Sequence, residues 1–480
     1  MNAYRPIRTV AMTSLAIALL SGCTTVGPDY AGAPNVAPDA AGRPGFVRAP
    51  AASAQVPVAH WWKDLNDPVL DQLVADALSG SPSLAAANAR VAQSRASLAA
   101  SKTAALPTIN ASFAAPYINV PGNLVGDGSG RDEINAYNLG FDSAWEIDLF
   151  GGTRRKVEAA VARSEAAEAT AADARITLSA EIVRAYVGLR ARQSLQAMQQ
   201  RQVGIDRALT ALARERFNAG IAPAQPVNAA EAQTFASEAD VVRTGAEIAV
   251  LLDQLAVLGG KEPGALDEML AAPAPIPLPP AQVAVGDPAL MLRNRPDIRA
   301  AERQLAAANA DIGAQLANKF PKISFLGILG LGGQNITDVL DPGNIVGIAL
   351  PQIKWSLFDG GRAERQVEIA RGASAEAEAR YRQTVLGALQ DAEGSLARFG
   401  ALRVAFARAI DAEQRAKKTA QLQEQRRSAG TASRADALNA ERQELQLSMA
   451  ATSTRAELTT AFVAVEKALG LGWQARETDK

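Results

Sequence analysis

Cysteine occurs once in the 480 residues, at position 23, and histidine once, at position 60. A single thiol excludes an intrachain disulfide, and a single imidazole excludes a His/Cys metal cluster. His60 stands beside Trp61 and Trp62 and reads as a packed or surface residue. Neither sign of charge is in excess: 49 Lys and Arg oppose 50 Asp and Glu, a formal charge of −1, so nothing here suggests a nucleic-acid partner. Long apolar runs are also missing. Beyond residue 22 no segment has the roughly 18 or more uncharged apolar residues that a spanning helix requires. A membrane crossing would have to be made by strands in a closed barrel, because unpaired backbone groups are too costly in lipid. Asp and Glu are plentiful, but they recur along long helical stretches and converge on no motif with positioned acid and base, so nothing marks the chain as an enzyme.

What is present begins at the N-terminus. A short basic segment with Arg5 and Arg8, an apolar run from Val10 to Leu20, and small residues Ser21 and Gly22 before Cys23 have the layout of a secretory signal. Leu20-Ser21-Gly22-Cys23 also matches the bacterial lipoprotein signal, in which the thiol takes diacylglycerol and the cysteine becomes the N-terminus. Thr24 follows where an aspartate would retain a lipoprotein at the inner membrane, which favours the outer membrane. No cofactor is expected beyond covalent diacylglycerol and N-acyl lipid on Cys23. Loss of residues 1–22 removes two arginines and no acid and takes the formal charge to −3.

Past a Pro-, Ala- and Gly-rich stretch at 23–58, which reads as a lipidated extended tether, the chain repeats itself. Trp145-x-Ile147-x-x-x-Gly151-x-x-x-Arg155-x-Val157-Glu158-x-Ala160 matches Trp355-x-Leu357-x-x-x-Gly361-x-x-x-Arg365-x-Val367-Glu368-x-Ala370 without a gap, at an offset of 210. The same offset relates Ala219-Gly220, Glu231 and Gln233 to Ala429-Gly430, Glu441 and Gln443, and an offset of 214 relates Pro82 and Pro107 to Pro296 and Pro321. Such register indicates internal duplication. It divides the chain into a signal peptide (1–22), the tether (23–58), a first repeat (59–268), a Pro-rich equatorial linker (269–292), a second repeat (293–470) and a C-terminal tail (471–480).

Each repeat reads as helix, two strands, long helix, turn, helix. Helices are expected at Ser83–Leu106 and Asp297–Phe320, each between prolines. From Ile134 to Leu149, Tyr137, Leu139, Phe141, Trp145, Ile147 and Leu149 share one parity, and Asn138, Asp142, Glu146 and Asp148 the other. In a barrel the apolar parity faces lipid, and Asp142, Glu146 and Asp148 face the lumen. A weaker strand covers Ile109 to Phe113, disturbed at Pro116, and 121–131 is a Gly-rich loop. In the second repeat Ile323–Gly333 forms a strand, and its partner carries Ile353, Trp355 and Leu357 opposite Gln352, Lys354 and Ser356. Trp145 and Trp355 read either as interfacial belt aromatics or as core aromatics. The proline-free run 153–215 spans about 95 Å as a helix, and the two shorter helices of a repeat, stacked, reach about 86 Å. Their Ala-rich faces suit coiled-coil contacts. Four strands cannot enclose an aqueous channel, so several copies must pool their strands; three would give twelve.

The chain resembles the TolC-type outer membrane factor family, in its NodT-like lipoprotein branch. The resemblance rests on Val26-Gly27-Pro28-Asp29-Tyr30, on Trp61-Trp62 with Leu70 and Leu73, and on Arg295-Pro296-Asp297-Ile298-x-x-Ala301-Glu302-x-x-Leu305-x-x-Ala308-x-Ala310-x-Ile312-Gly313, then Phe320-Pro321. It implies a mainly α fold with a β-barrel portion, a homotrimer of duplicated subunits with a twelve-stranded outer membrane barrel and a periplasmic α-helical coiled-coil tunnel. It implies a passive exit duct for small toxic compounds or drugs, partnered by a periplasmic adaptor and an inner membrane pump of the resistance-nodulation-division type. The duct of a type I protein secretion system and a non-channel coiled-coil lipoprotein are the alternatives. Gly220 and Gly430 would be periplasmic tip turns contacting the adaptor. Asp436 would narrow the closed tunnel, although a solvated helix-start aspartate is an equal alternative. Arg427 and Asn439 belong to that gate region but depart from the family's aromatic and acid, and Pro226 replaces an aspartate, so the polar lock of some relatives does not carry over intact.

Overall fold

The structure, a computed structural model, describes residues 25–48, 60–121 and 131–471; the signal peptide, Cys23 and residues 472–480 lie outside them. Chain order gives α1 (Pro68–Gly80), α2 (Pro82–Thr103), β1 (Thr108–Ala114), β2 (Tyr117–Pro121), β3 (Arg131–Asn135), β4 (Tyr137–Ile147), α3 (Gly152–Asn218) and α4 (Gln225–Leu258). The second repeat follows with α5 (Pro288–Asn294), α6 (Pro296–Leu316), β5 (Lys322–Gly333), β6 (Ile345–Lys354), α7 (Arg362–Ser428) and α8 (Arg434–Ala468). The helix–strand–helix–helix order thus occurs twice, with four strands in the first repeat, two of them in an added hairpin, and two in the second. No described helix is long and apolar enough to cross a membrane.

The chain forms two compact units, and each draws on both repeats. One holds the described residues of Met1–Pro34 with Val91–Ala167 and Ala301–Tyr381; the other holds Asn35–Arg90, Glu168–Ala300 and Arg382–Lys480. The first unit contains a four-stranded antiparallel sheet in the order β1-β4-β5-β6, so the strands of the two repeats meet at its centre. Glycine sets that meeting. Gly140 pairs with Gly330, and a Cβ on Gly140 would lie 2.6 Å from both the Gly330 Cα and the Leu329 carbonyl oxygen, which explains the Gly-rich composition of β5.

The sheet revises three expectations. The strand expected from Ile134 to Leu149 breaks at Ala136, and β3 instead pairs with β2 in a separate hairpin; of the expected Gly-rich loop, residues 122–130 lie outside the described residues. Asp148 and Leu149 fall beyond the end of β4, and Trp355 and Leu357 beyond the end of β6. Residues 25–34 do not hang as a tether but dock on the first unit, as described below.

In the second unit the core is built around Trp61, which is 1% exposed and meets the rings of Trp62 and Phe462 edge-on at 5.9 and 6.0 Å. Asp67 caps α1 through the backbone N–H groups of Val69 and Leu70, and its second oxygen accepts from the Tyr186 hydroxyl at 2.7 Å, fixing α1 against α3. His60 is exposed, with its ring 5.3 Å from Trp62. The Pro-rich segment after α4 is likewise pinned: Arg190 and Gln193 donate to the Leu270 carbonyl, Arg190 also to that of Ala272, and Thr459 donates to that of Pro277 at 2.7 Å.

Candidate functional site

The two long helices, 67 residues each and so about 100 Å at 1.5 Å per residue, start and stop by the same devices in both repeats. Asp148 accepts the Thr153 and Arg154 backbone N–H groups at 3.0 and 2.7 Å, and Asp359 accepts those of Gly361 and Ala363 at 2.8 Å. Both carboxylates satisfy N–H groups that a helix start leaves unpaired. Those bonds hold the Asp359 carboxyl below the usual carboxylate range. Asp148 thus lies beyond β4 and caps α3.

Asp142 and Glu146 do share one face of the sheet. Asp142 accepts from Asn110 Nδ2 at 3.0 Å, and Glu146 lies 3.5 Å from Lys322 Nζ. The register continues that face onto Ser324, Leu326 and Ile328 of β5 and onto Ile348, Leu350 and Gln352 of β6, so polarity is continuous on β1 and β4 and broken on β5 and β6. The opposite face carries Ile109, Phe113, Leu139, Phe141, Leu329 and Ile353, all strongly exposed. That is an apolar belt with no covering layer, on a sheet whose edge strands β1 and β6 have no further partner among the described residues.

Trp145 and Trp355 have one task in duplicate. Trp145 Nε1 donates to the Ala105 carbonyl and Trp355 Nε1 to the Lys319 carbonyl, both at 3.0 Å, and each acceptor lies two residues before a repeat-matched proline. Each indole ties the helix-proximal end of a strand pair to the C-terminal end of the preceding helix. Both residues remain partly exposed, at 40% and 55%.

The docked N-terminal segment breaks the duplication. Arg155 and Arg365 are equivalent, and each pairs with a glutamate three residues on, Glu158 at 2.8 Å and Glu368 at 2.7 Å. Arg365 is open, whereas Arg155 is covered by residues 26–29: its guanidinium donates to the carbonyls of Val26 and Gly27 and to Asp29 at 2.6 Å. Gly27, at φ +97°, crosses Gly313 so closely that a Cβ on it would lie 2.4 Å from the Gly313 Cα. Tyr30 donates to Glu302, which also binds Arg303; burial first, then the Glu302 carboxylate, push the Tyr30 hydroxyl far up against the opposing charge of Arg303. The sequence block 26–30 and residues 302–313 of the second block are thus partners. The matched arginines could have been noticed in the repeat; that only one is covered could not.

In the second unit, Gly220 and Gly430 end the long helices at φ +74° and +75°. Ile221 N–H returns to the Arg216 carbonyl and Gly220 N–H to that of Phe217; Thr431 and Gly430 repeat this with Arg426 and Arg427. These are Schellman turns, in which glycine avoids the Cβ penalty of the left-handed conformation. Asp436 sits in the first turn of α8 in a capping box: it accepts from the Ser433 backbone N–H at 3.1 Å and hydroxyl at 2.7 Å, and its own N–H donates to Ser433 Oγ. The Ser433 hydroxyl first, then its N–H, then Arg426 and Arg216 lower its pKa, so it stays charged. Asn439 accepts from Arg442 at 2.9 Å, and Arg427 forks onto Glu424 at 2.7 and 2.5 Å. None of the three gate residues bonds to another.

A tie the sequence did not reveal lies nearby. Asp206, 2% exposed in mid-α3, accepts from Gln202, from Ser237 of α4 at 2.6 Å, and faces Arg442 of α8 at 3.7 Å. Arg201 and Glu441 add a second bridge at 3.7 Å. A lone aspartate inside a helix gives no sequence signal of this tie, because Ser237 and Arg442 lie on other helices.

A family model described as outer membrane efflux protein matches residues 73–260 and 288–471. Nodulation protein T of Rhizobium leguminosarum bv. trifolii is 30% identical over 383 residues, covering 79% of each chain. The antibiotic efflux pump outer membrane protein ArpC of Pseudomonas putida is 29% identical over 97% of this chain and 96% of its own. Among solved structures, the outer-membrane channel OprN superposes with a TM-score of 0.82 at 32% identity, covering 94% of this chain and all of that one.

Proposed function

The chain belongs to the outer membrane efflux protein family, and from that premise we propose that it is the passive outer membrane exit channel of a tripartite efflux system, a duct and not a catalyst. The observation that carries this is the four-stranded sheet with an uncovered apolar face and two free edges. In lipid a free edge is costly, and pairing β6 of one copy with β1 of the next removes every edge at once. Three copies give a twelve-stranded barrel, within the range of outer membrane barrels. Asp142 and Glu146 then line its water-filled side. The paired long and short helices, with Schellman turns at Gly220 and Gly430, supply the tunnel that a periplasmic adaptor meets. Energy comes from the inner membrane pump, and the cargo class is small toxic compounds or drugs, antibiotics being the cargo that the name of ArpC gives for that relative.

Purified full-length protein in a planar bilayer is expected to give discrete conductance steps; a silent bilayer sinks the channel reading. A gating role for Asp436 is separable from its capping role. Asp436→Asn is expected to raise leak conductance several-fold, whereas Ser433→Ala, which removes the cap but keeps the carboxylate, leaves the leak low. Equal leak in both variants assigns Asp436 to the helix start alone.

Cys23 carries the lipid in this reading. Cys23→Ser is expected to abolish incorporation of labelled fatty acid while the oligomer still inserts, because the barrel itself holds the membrane. A variant that is soluble and monomeric would contradict the barrel.

A further inference from the structure

Between α3, α7 and α8 of the second unit lies a cavity of about 550 Å³ whose lining carries Arg48, Arg184, Arg295, Arg398 and Lys467 against a single carboxylate, Asp391. Two of these cations are answered. Arg295 forks onto Asp297 at 2.9 and 2.5 Å, donates to the Ala468 carbonyl and lies 3.8 Å from Asp391. The charge of Lys467 is offset at longer range by Asp173, whose carboxyl also feels Asp297 and Arg295. The remaining three guanidinium groups are not answered: among the described residues no carboxylate lies within 4.0 Å of Arg48, Arg184 or Arg398. The nearby Glu393 accepts the backbone N–H groups of Val47 and Arg48 at 2.9 and 2.8 Å and is not within ion-pair distance of the three guanidinium groups. Arg184 Nε is shielded from solvent and has no hydrogen-bond partner among the described residues.

A buried guanidinium N–H without an acceptor is costly, and three like charges around one cavity repel unless an anion stands between them. We propose that this cavity binds a small multivalent oxyanion of the phosphate or polycarboxylate class. Guanidinium forks match such oxygens in pairs, and forks from separate helices can hold one ion from several sides. The volume exceeds that of a bare ion and leaves room for an organic substituent. The site belongs to the folded chain and does not depend on whether the chain conducts.

Calorimetric titration of the full-length oligomer in detergent at low salt tests this, with pyrophosphate as the soluble probe and phosphatidylglycerol in nanodiscs as the headgroup probe. Saturable binding of one ligand per chain is expected, weakened tenfold or more by Arg184→Gln and by Arg398→Gln. Arg398 is exposed, so its variant is expected to melt as the parent does. Arg408→Gln, which removes an exposed arginine paired with Asp411 outside the cavity, is expected to bind as the parent does. Saturation by pyrophosphate identifies a free anion, and saturation by the lipid alone identifies a headgroup. Absence of saturation in both arms overturns the site. So does binding that both cavity variants leave unchanged, or that Arg408→Gln weakens equally.

Discussion

Replacing Glu466 by glutamine is expected to remove a pH dependence of stability of about 1.4 kcal/mol per pH unit between roughly pH 5 and 8. Glu466 is 5% exposed on α8, and burial first, then the negative charge of Asp64, push its carboxyl up to about 8. The sign follows from comparing states. The unfolded carboxyl ionises near pH 4.5, while the folded one keeps its proton to about pH 8, so the folded state binds the extra proton within this window. Stability is therefore full at low pH, falls as pH rises through the window, and levels off above the folded value. Glutamine has the shape of the protonated acid and no charge to bury. Melts of the parent and of Glu466→Gln at pH 5, 6, 7 and 8 are expected to converge at pH 5 and to separate progressively, with the variant the more stable by about 3 to 5 kcal/mol at pH 8. Parallel curves would show that Glu466 is ionised in the fold.

Gly27→Val is expected to release the N-terminal segment from the first unit at a cost of about 3 kcal/mol. Valine is strained at φ +97°, and its Cβ would lie 2.4 Å from the Gly313 backbone, where no flexible side chain can yield. Release uncovers Arg155 and frees Tyr30 from Glu302. Chymotryptic cleavage after Tyr30 is expected to accelerate tenfold or more in the variant, and Arg155→Gln to accelerate it less, because the glycine crossing remains. Unchanged cleavage would mean that residues 26–30 are not held by this contact. The repeat register aligns Gly313 with Ala99, whose methyl group would obstruct the same crossing on the equivalent helix, so the chain has one seat for its N-terminal segment and not two.

The helix and turn signals were legible. Prolines, glycines and periodicity placed the long helix at 153–215, and it runs Gly152–Asn218; the turn glycines lie where the repeat put them. Strand alternation placed β4, but its end was extended by two residues, because Asp148 continues the alternation while its carboxylate caps a helix. Parity assigned Asp142 and Glu146 to one face correctly. It could not show that the same face turns apolar at Leu326, Ile328, Ile348 and Leu350, since that depends on cross-strand register.

The sequence by itself determined the duplication, the order of the helices and the turns. These rest on period, proline and glycine, and on bonds spanning at most five residues. It also determined that one chain cannot close a barrel, since four strands are too few. Only the tertiary structure decided that 26–30 docks on 313, that Arg155 is covered while Arg365 stays open, that Asp206 faces Arg442, and that three unanswered arginines meet at one cavity. The partners in these contacts are distant in sequence, often more than 200 residues apart, and no local pattern constrains which side chains packing brings together.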